Sequence, residues 1–202
     1  MYAIVEDNNI TQYINNPKSV VIGDVRYPSK IFELWSQSEL NAIVIYEIIV
    51  DKTNYKDPAY YINTDSSYTF ADGQVTESWG TATAKELEDR NATDEDGVEL
   101  NPIVVIEGLK TKKKKIVKAQ ASTLLERTDW HNHKALDDDS YTIPDNIKTY
   151  RANVRAKSNE METQIDACNN VDELKTLYEY VNTGTEENPV YERPLAEFPE
   201  EI

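Results

Sequence analysis

The sequence predicts an α+β protein, with a small antiparallel β domain in its first half and helices in its second. In residues 1–84, short runs of β-branched and aromatic residues alternate with turn residues, which is typical of half-exposed strands. Residues 108–182 show apolar residues at a helical period, which predicts a helical hairpin followed by a third helix. Residues 85–107 are acidic and poor in apolar side chains, which favours a connector, and residues 183–202 are predicted to form an extended acidic tail.

The β half is predicted to consist of short strands joined by tight turns. The candidate segments are YAIVE (2–6), ITQYI (10–14), SVVIGDVRYP (19–28), AIVIYEIIV (42–50) and a meander over 59–84. Asp72-Gly73, inside the meander, is the strongest hairpin signal in the chain. Ser36 with Glu39 three residues later is a capping box, so a short helix is expected to lead into the strand at 42–50.

Three helices are predicted in the second half, each from an apolar face. The first face consists of Val117, Ala121, Leu124 and Leu125. A second helix begins near Pro144, which suits a first-turn position. Its apolar stripe contains Ile147, Tyr150, Val154, Met161, Ile165 and Cys168. Asn170 caps the third helix and Glu173 completes its capping box, with Val171, Leu174, Leu177, Tyr178 and Val181 predicted to face inward.

Charge and composition narrow the classes of partner. The chain carries 37 acids against 21 bases, a net charge of −16, which disfavours binding to nucleic acid and to anionic membranes. No run approaches the roughly 20 apolar residues of a membrane span, and the first residues do not resemble a secretory signal. A single cysteine, Cys168, fits a reducing cytoplasm. The sequence therefore predicts protein partners.

The stretch LLERTDWHNHKALDDD (124–139) combines histidines and acids in a way that suggests a metal site. His131, His133 and the run Asp137–Asp139 supply the ligand types, but His-x-His alone gives too few zinc ligands, and no glycine-containing calcium loop surrounds the acids. A metal-dependent hydrolase remains a distant hypothesis. The favoured interpretation is a connector between two helices, with no metal and no cofactor.

The lysine cluster at 110–118 and the single cysteine each allow a functional and a structural interpretation. The lysine cluster KTKKKKIVK (110–118) is the only basic segment, and pairing with acids of the connector or of a neighbouring subunit is favoured over phosphate binding. Cys168 lies on an apolar stripe and is predicted to be a core residue and not a nucleophile. No glycine-rich phosphate loop or nucleophile elbow occurs, so the sequence predicts no enzyme.

The segment LLERTDW (124–130), followed by a loop, a proline and TYRANVRA (149–156), resembles the tail assembly chaperone-like domain of tailed bacteriophages. The residues that carry the resemblance are Leu124, Leu125, Thr128, Asp129, Trp130, Tyr150 and Arg151. The ending RPLAEFPEEI is similar to the tails of related fibre assembly proteins, and VRYPSKIFELWSQSELNAIVIYEI resembles a module at the start of many tail proteins. The resemblance implies that Thr128, Asp129 and Trp130 end one helix and anchor the hairpin, without a catalytic metal.

These observations lead to the hypothesis of a non-enzymatic phage protein that binds a tail fibre or another tail component. It would be either a structural part of the virion tail or a transient assembly chaperone in the host cytoplasm. Association of the chain with further copies of itself is a further possibility. The residues expected to contact a partner are Trp35, Tyr60, Tyr61, Trp79 and Phe198. Placement in the core is the competing interpretation for each of them.

Overall fold

The first 83 residues form a β-rich unit and the remaining residues a mainly helical one. The computed structural model describes residues 1–202, and they divide into two compact units, Met1–Thr83 and Ala84–Ile202. The α+β class predicted from the sequence is confirmed, with an antiparallel-rich sheet before the helices.

The first unit contains nine strands and two short helices. Their bounds are β1 (Tyr2–Glu6), β2 (Asn9–Ile14), β3 (Val20–Ile22), β4 (Val25–Tyr27), α1 (Ile31–Leu34), α2 (Gln37–Ala42), β5 (Ile45–Asp51), β6 (Tyr61–Ile62), β7 (Ser66–Ala71), β8 (Gln74–Trp79) and β9 (Thr83–Ala84), which reaches the unit boundary. The capping box at α2 is present: the Ser36 hydroxyl accepts from the Glu39 amide, and the Glu39 carboxylate accepts from the Ser36 amide. The hairpin at Asp72-Gly73 is also confirmed, with both residues at positive φ between β7 and β8.

Five strands of this unit form one sheet in the order β2-β1-β5-β8-β7. The predicted antiparallel pairing is confirmed for β1 with β2, β1 with β5 and β7 with β8, whereas β5 and β8 pair in parallel, with Ile48 opposite Val75. Hydrophobic alternation sets which face of a strand is buried but carries no information on strand direction. The direction depends on the long connection between these two strands, which is a tertiary property.

Both faces of this sheet are buried against other residues. Along β1 the side chains alternate, so Ile4 joins one apolar cluster with Leu40 and Ile45, while Ala3 joins a second with Val75. Helix α2 supplies Leu40, and strand β3 supplies Val20, to the first cluster. The core of the first unit is therefore two small layers separated by the sheet.

The second unit contains four helices and two short strand pairs. Their bounds are β10 (Arg90–Asn91), β11 (Val105–Ile106), α3 (Leu109–Glu126), α4 (Asp129–Asp137), α5 (Asp145–Ala167), α6 (Val171–Tyr178), β12 (Val181–Asn182) and β13 (Tyr191–Glu192). β10 pairs with β11, and β12 pairs with β13, both antiparallel. None of the helices combines the length and the apolar character that crossing a membrane requires.

The structure corrects three details predicted for this half. Residues 85–107 belong to the second unit and carry the β10–β11 pair, where a connector was expected. Residues 129–137 form helix α4, where a loop was expected. The third helix ends at Tyr178, so Val181, which was predicted to face inward on that helix, is 53% exposed in the short strand β12. Short strands of this kind depend on a pairing partner distant in sequence, which local composition does not reveal.

Helices α3 and α5 pack on each other along the faces that the sequence predicts. Val117 and Ala121 of α3 are buried, as are Tyr150, Val154 and Ile165 of α5. Cys168, just past the end of α5, is buried as well. Asn170 caps α6 by accepting from the Glu173 amide at 2.9 Å, as predicted, but the Glu173 carboxylate accepts from the Asn169 amide at 2.7 Å and so does not complete the predicted capping box.

Candidate functional site

The junction between α3 and α4 is a single tight turn held by the residue at its centre. Thr128 is 5% exposed, and both its amide and its hydroxyl donate to the Leu125 carbonyl, at 3.0 and 2.9 Å. These bonds satisfy a carbonyl that the end of α3 would otherwise leave free. Asp129 then begins α4, where a carboxylate is favourable beside the helix N-terminus. Thr128 thus performs the turn role that the resemblance implies.

Arg151 of α5 reaches across to this turn. Its guanidinium donates to the Leu125 carbonyl at 2.9 Å and to the Thr128 hydroxyl at 2.7 Å, and it forms an ion pair with Asp129 at 2.8 Å. The Arg151 side chain is 9% exposed, and that of Asp129 is 43% exposed. We call these four residues, Leu125, Thr128, Asp129 and Arg151, the Arg151 clamp. The clamp fixes three helices at one point because the planar guanidinium offers several donors in one plane.

An apolar cluster lies beside the Arg151 clamp. Ala121, Tyr150 and Val154 are its buried members, and Leu124, Leu125 and Phe198 pack against it partly buried. Six of the seven residues that carry the phage resemblance therefore lie in the clamp or in this cluster. Leu124, Leu125 and Tyr150 pack together in the apolar cluster. Thr128 and Asp129 form a hydrogen bond and an ion pair with Arg151.

Trp130 is the seventh residue, and the structure assigns it a different role from the predicted hairpin anchor. Its side chain is 53% exposed and stacks on the His131 ring, with centroids 3.7 Å apart. The Tyr141 hydroxyl shares a hydrogen bond with Nδ1 of His131, and Lys134 lies over the Tyr141 ring at 4.4 Å. The turn of the hairpin is closed by Arg151 and not by Trp130. A rigidly supported, exposed tryptophan is the type of side chain that dominates protein interfaces.

The other predicted contact residues are distributed differently from the expectation. Tyr60 and Tyr61 are 6% and 5% exposed, so the prediction that they contact a partner is corrected to a place in the interior of the first unit. Trp35 is partly buried against the first cluster and meets Tyr27 edge-on. Trp79 is partly buried and meets Tyr55 edge-on. The sequence pattern placed Tyr60, Tyr61 and Trp79 on predicted strands but did not distinguish the buried face from the exposed one.

The lysine cluster is largely neutralised inside the second unit. Lys110 pairs with Glu88 at 2.5 Å and Lys118 with Glu162 at 3.1 Å, and Lys115 pairs with Glu107. Lys114 bonds to Asp166 at 2.7 Å, and this bond raises the pKa of Lys114 above its ordinary value. Pairing with connector acids was the favoured expectation, and Glu88 and Glu107 provide it.

The residues considered for metal or nucleophilic chemistry occupy structural positions. His131 is 8% exposed and bonded to Tyr141, while His133 lies on the exposed side of α4. No group of three or more His, Cys, Asp or Glu side chains is placed to hold a metal ion. Burial raises the pKa of the Cys168 thiol, which keeps it protonated and weakens it as a nucleophile.

Sequence reasoning missed one contact of the C-terminal segment. Gln164 of α5 donates from Nε2 to the Pro194 carbonyl at 3.0 Å and accepts from the Ala196 amide at 2.8 Å. Leu195, between them, is 2% exposed. A glutamine on the polar side of a helix carries no local signal of such a role. Leu195 and Phe198, which lie between Pro194 and Pro199, are the one local sign that this segment packs against the rest of the protein.

Comparison of the chain with protein-family models, with curated proteins and with solved structures found no match.

Proposed function

We propose that this chain is a non-enzymatic tail-associated protein of a tailed bacteriophage, which binds a tail fibre or another tail component through its helical unit. The observation that carries the proposal is the Arg151 clamp. Thr128 and Asp129 of the Thr-Asp-Trp segment meet Arg151 of the Tyr-Arg segment, more than 20 positions later in the sequence, in one network. That network leaves Trp130, the remaining member of the motif, exposed for a partner.

The proposed partner contact is centred on the Trp130 platform, which we define as Trp130, His131 and Tyr141. Ring stacking and the bond between His131 and Tyr141 hold the tryptophan in one orientation before a partner arrives. A preorganised aromatic side chain loses little conformational entropy on binding, so more of its contact energy appears as affinity. The net charge of −16 favours a partner surface that is not itself acidic.

Quantitative mass spectrometry of purified particles of a phage that encodes this chain tests the proposal. Recovery in fixed stoichiometry with a tail component would identify a structural part of the virion. Presence only in infected cells, bound to a fibre or tail protein, would identify the transient chaperone. Absence from particles together with no complex with any tail protein in infected cells would contradict the proposal.

Replacing Trp130 tests the contact surface. We expect Trp130→Ala to weaken binding to the recovered tail component by about 2 kcal/mol or more, roughly thirtyfold, as for a central interface tryptophan. Leu136→Ala is the matched control, because Leu136 is 80% exposed on another side of α4. Titration calorimetry of both variants measures the difference. Equal affinities for Trp130→Ala and the unmodified chain would show that the partner does not bind at the Trp130 platform.

A further inference from the structure

The C-terminal segment of the second unit lies on the helices as an extended ligand lies in a groove. We call residues 193–201 the strap. The Gln164 side chain bonds the backbone on both sides of Leu195, and the Leu195 amide donates to the Leu177 carbonyl of α6 at 3.0 Å. Bonds from a side chain to the backbone of an extended segment recognise its conformation, while pockets for alternate side chains recognise its sequence. The strap meets both conditions, with Leu195 buried and Phe198 packed on the Tyr150 cluster.

The groove extends beyond what the strap fills. An open volume of about 580 Å³ lies between α3 and the strap, bounded on the helix by Ile116, Thr123, Leu124 and Arg127. Ile116 is 51% exposed there, and Phe198 is only half-buried. A volume of this size falls within the range of ordinary ligand pockets. The strap therefore covers an apolar groove incompletely.

The positive charge of Arg127 at one end of the groove favours an occupant with a carboxylate at that position. Arg127, the residue after the end of α3, forms an ion pair with Glu201, three residues after Phe198. The helix side of the groove presents the apolar side chains of Ile116, Ala119 and Leu124, the neutral polar side chains of Gln120 and Thr123, and no acid. The complementary segment carries leucine and phenylalanine three positions apart with a carboxylate after them, as the strap does.

We propose that this groove is a binding site for an extended partner segment of that chemistry, and that the strap occupies it in cis until the partner segment displaces it. The proposal deepens the proposed function, on which it rests, by naming the class of partner. Displacement is feasible because the polar contacts that hold the strap are few and mostly lie at the surface: the Gln164 pair, one bond to α6, a bond from the Tyr180 hydroxyl to Glu197 at 2.9 Å, the Arg193 guanidinium over the Tyr180 ring, and the pair between Arg127 and Glu201. The strap is continuous with the β12–β13 hairpin, which pairs only two residues on each side.

Binding of a fluorescein-labelled peptide of residues 190–202 to the full chain tests the site. The strap competes with the peptide at the high effective concentration of a tethered segment, so the unmodified chain is expected to bind the peptide weakly. Phe198→Ala in the full chain loosens the strap, and the affinity for the unmodified peptide should rise about tenfold or more. Adding Gln164→Ala to that variant should abolish the gain. A peptide with alanine at both Leu195 and Phe198 is the matched control and should not bind.

Several outcomes would overturn the proposal. A Phe198→Ala chain that melts like the unmodified one but binds the peptide no more tightly would do so. Dissociation of a dimer of the unmodified chain by the peptide would assign the groove to the strap of a second copy. Because the assay uses purified chain, its failure is separate from the particle measurement.

Hydrogen exchange of the unmodified chain provides a second test that needs no substitution. The amides of Leu195 and Ala196 should exchange through a local opening, much faster than the amides of α5 around Val154. Exchange of the strap only together with α5 would mean that the strap is a fixed part of the core, and the proposal would fail.

Discussion

Arg151 illustrates how one buried charge can organise a helical unit. Its guanidinium replaces lost water with two hydrogen bonds and one ion pair, all to a turn 22 to 26 residues earlier in the chain. Burying an arginine without such partners is strongly unfavourable. The side chain therefore selects the one arrangement of α3, α4 and α5 in which every partner is within reach, which leaves Trp130 outside.

Replacing Arg151 should destabilise the second unit. Arg151→Met keeps most of the apolar stem but leaves the Thr128 hydroxyl and Asp129 without their shared partner. We expect the free energy of unfolding to fall by about 2–3 kcal/mol, since hydrogen bonds to charged groups are lost at a buried site. Urea unfolding followed by circular dichroism measures it. The control is Arg155→Met, an exposed arginine one turn later on the same helix whose guanidinium makes a long bond of 3.4 Å to the Arg151 carbonyl, and this change is expected to stay within about 0.5 kcal/mol.

At the scale of elements, α3 receives its N-terminal cap from outside the helix. Gly108 is the N-cap residue and has no side chain to offer. The Glu86 and Leu87 carbonyls accept from the Leu109 and Lys110 amides at 2.9 and 3.1 Å, and the Asp89 carboxylate accepts from the Gly108 amide at 2.8 Å and the Thr111 hydroxyl at 3.0 Å. The bond from Gly108 is the main cause of the lowered pKa of Asp89. This contact explains why the predicted connector is folded onto the second unit.

Removal of Asp89 should change the pH dependence of stability. A carboxyl whose pKa is lowered by folding stabilises the protein above its ordinary pKa, and this contribution is lost as the pH falls through the folded-state value. We therefore expect Asp89→Ala to lower the urea midpoint at about pH 7 and to have a smaller effect at about pH 3. Asp139→Ala, an exposed acid in the loop after α4, is the control. An equal loss at both pH values would mean that the cap acts without the carboxylate charge.

At the scale of the whole molecule, the chain contains two units with separate cores. Ile45 is fully buried in the first unit, and Ile165 is fully buried in the second. Each unit has its own apolar clusters, and the residues of each cluster come from one unit only. Separate cores of this kind are the physical basis for units that open independently.

Core substitutions should therefore act within their own unit. Ile45→Ala and Ile165→Ala are each expected to cost about 2–5 kcal/mol, as for a large-to-small change at a fully buried site. Hydrogen exchange measured by mass spectrometry should show faster exchange in residues 1–83 for the first variant and in 84–202 for the second. Faster exchange throughout the chain in either variant would show that the two units unfold as one.

Much of the fold could be predicted from the sequence because its signals are local. Periodicity located α3 and α5 and the buried stripe from Ile147 to Cys168, and Asp72-Gly73 located a hairpin because both positions require positive φ. Ser36 and Asn170 marked helix starts because a cap involves residues only three positions apart. The candidate site could be predicted only in part. The sequence indicated the residues from Leu124 to Arg151, but not the hydrogen bonds and the ion pair that Arg151 forms with the turn.

The sequence by itself determined the secondary structure of most segments, the α+β class and the residues that line the helical interface. Only the tertiary structure decided the parallel pairing of β5 with β8, the burial of Tyr60 and Tyr61, the exposure of Trp130 and the docking of the strap on Gln164. The physical reason is the same in each case. Propensity and periodicity depend on neighbours along the chain, whereas strand direction, burial and side-chain bonding depend on partners that come close only when the chain has folded.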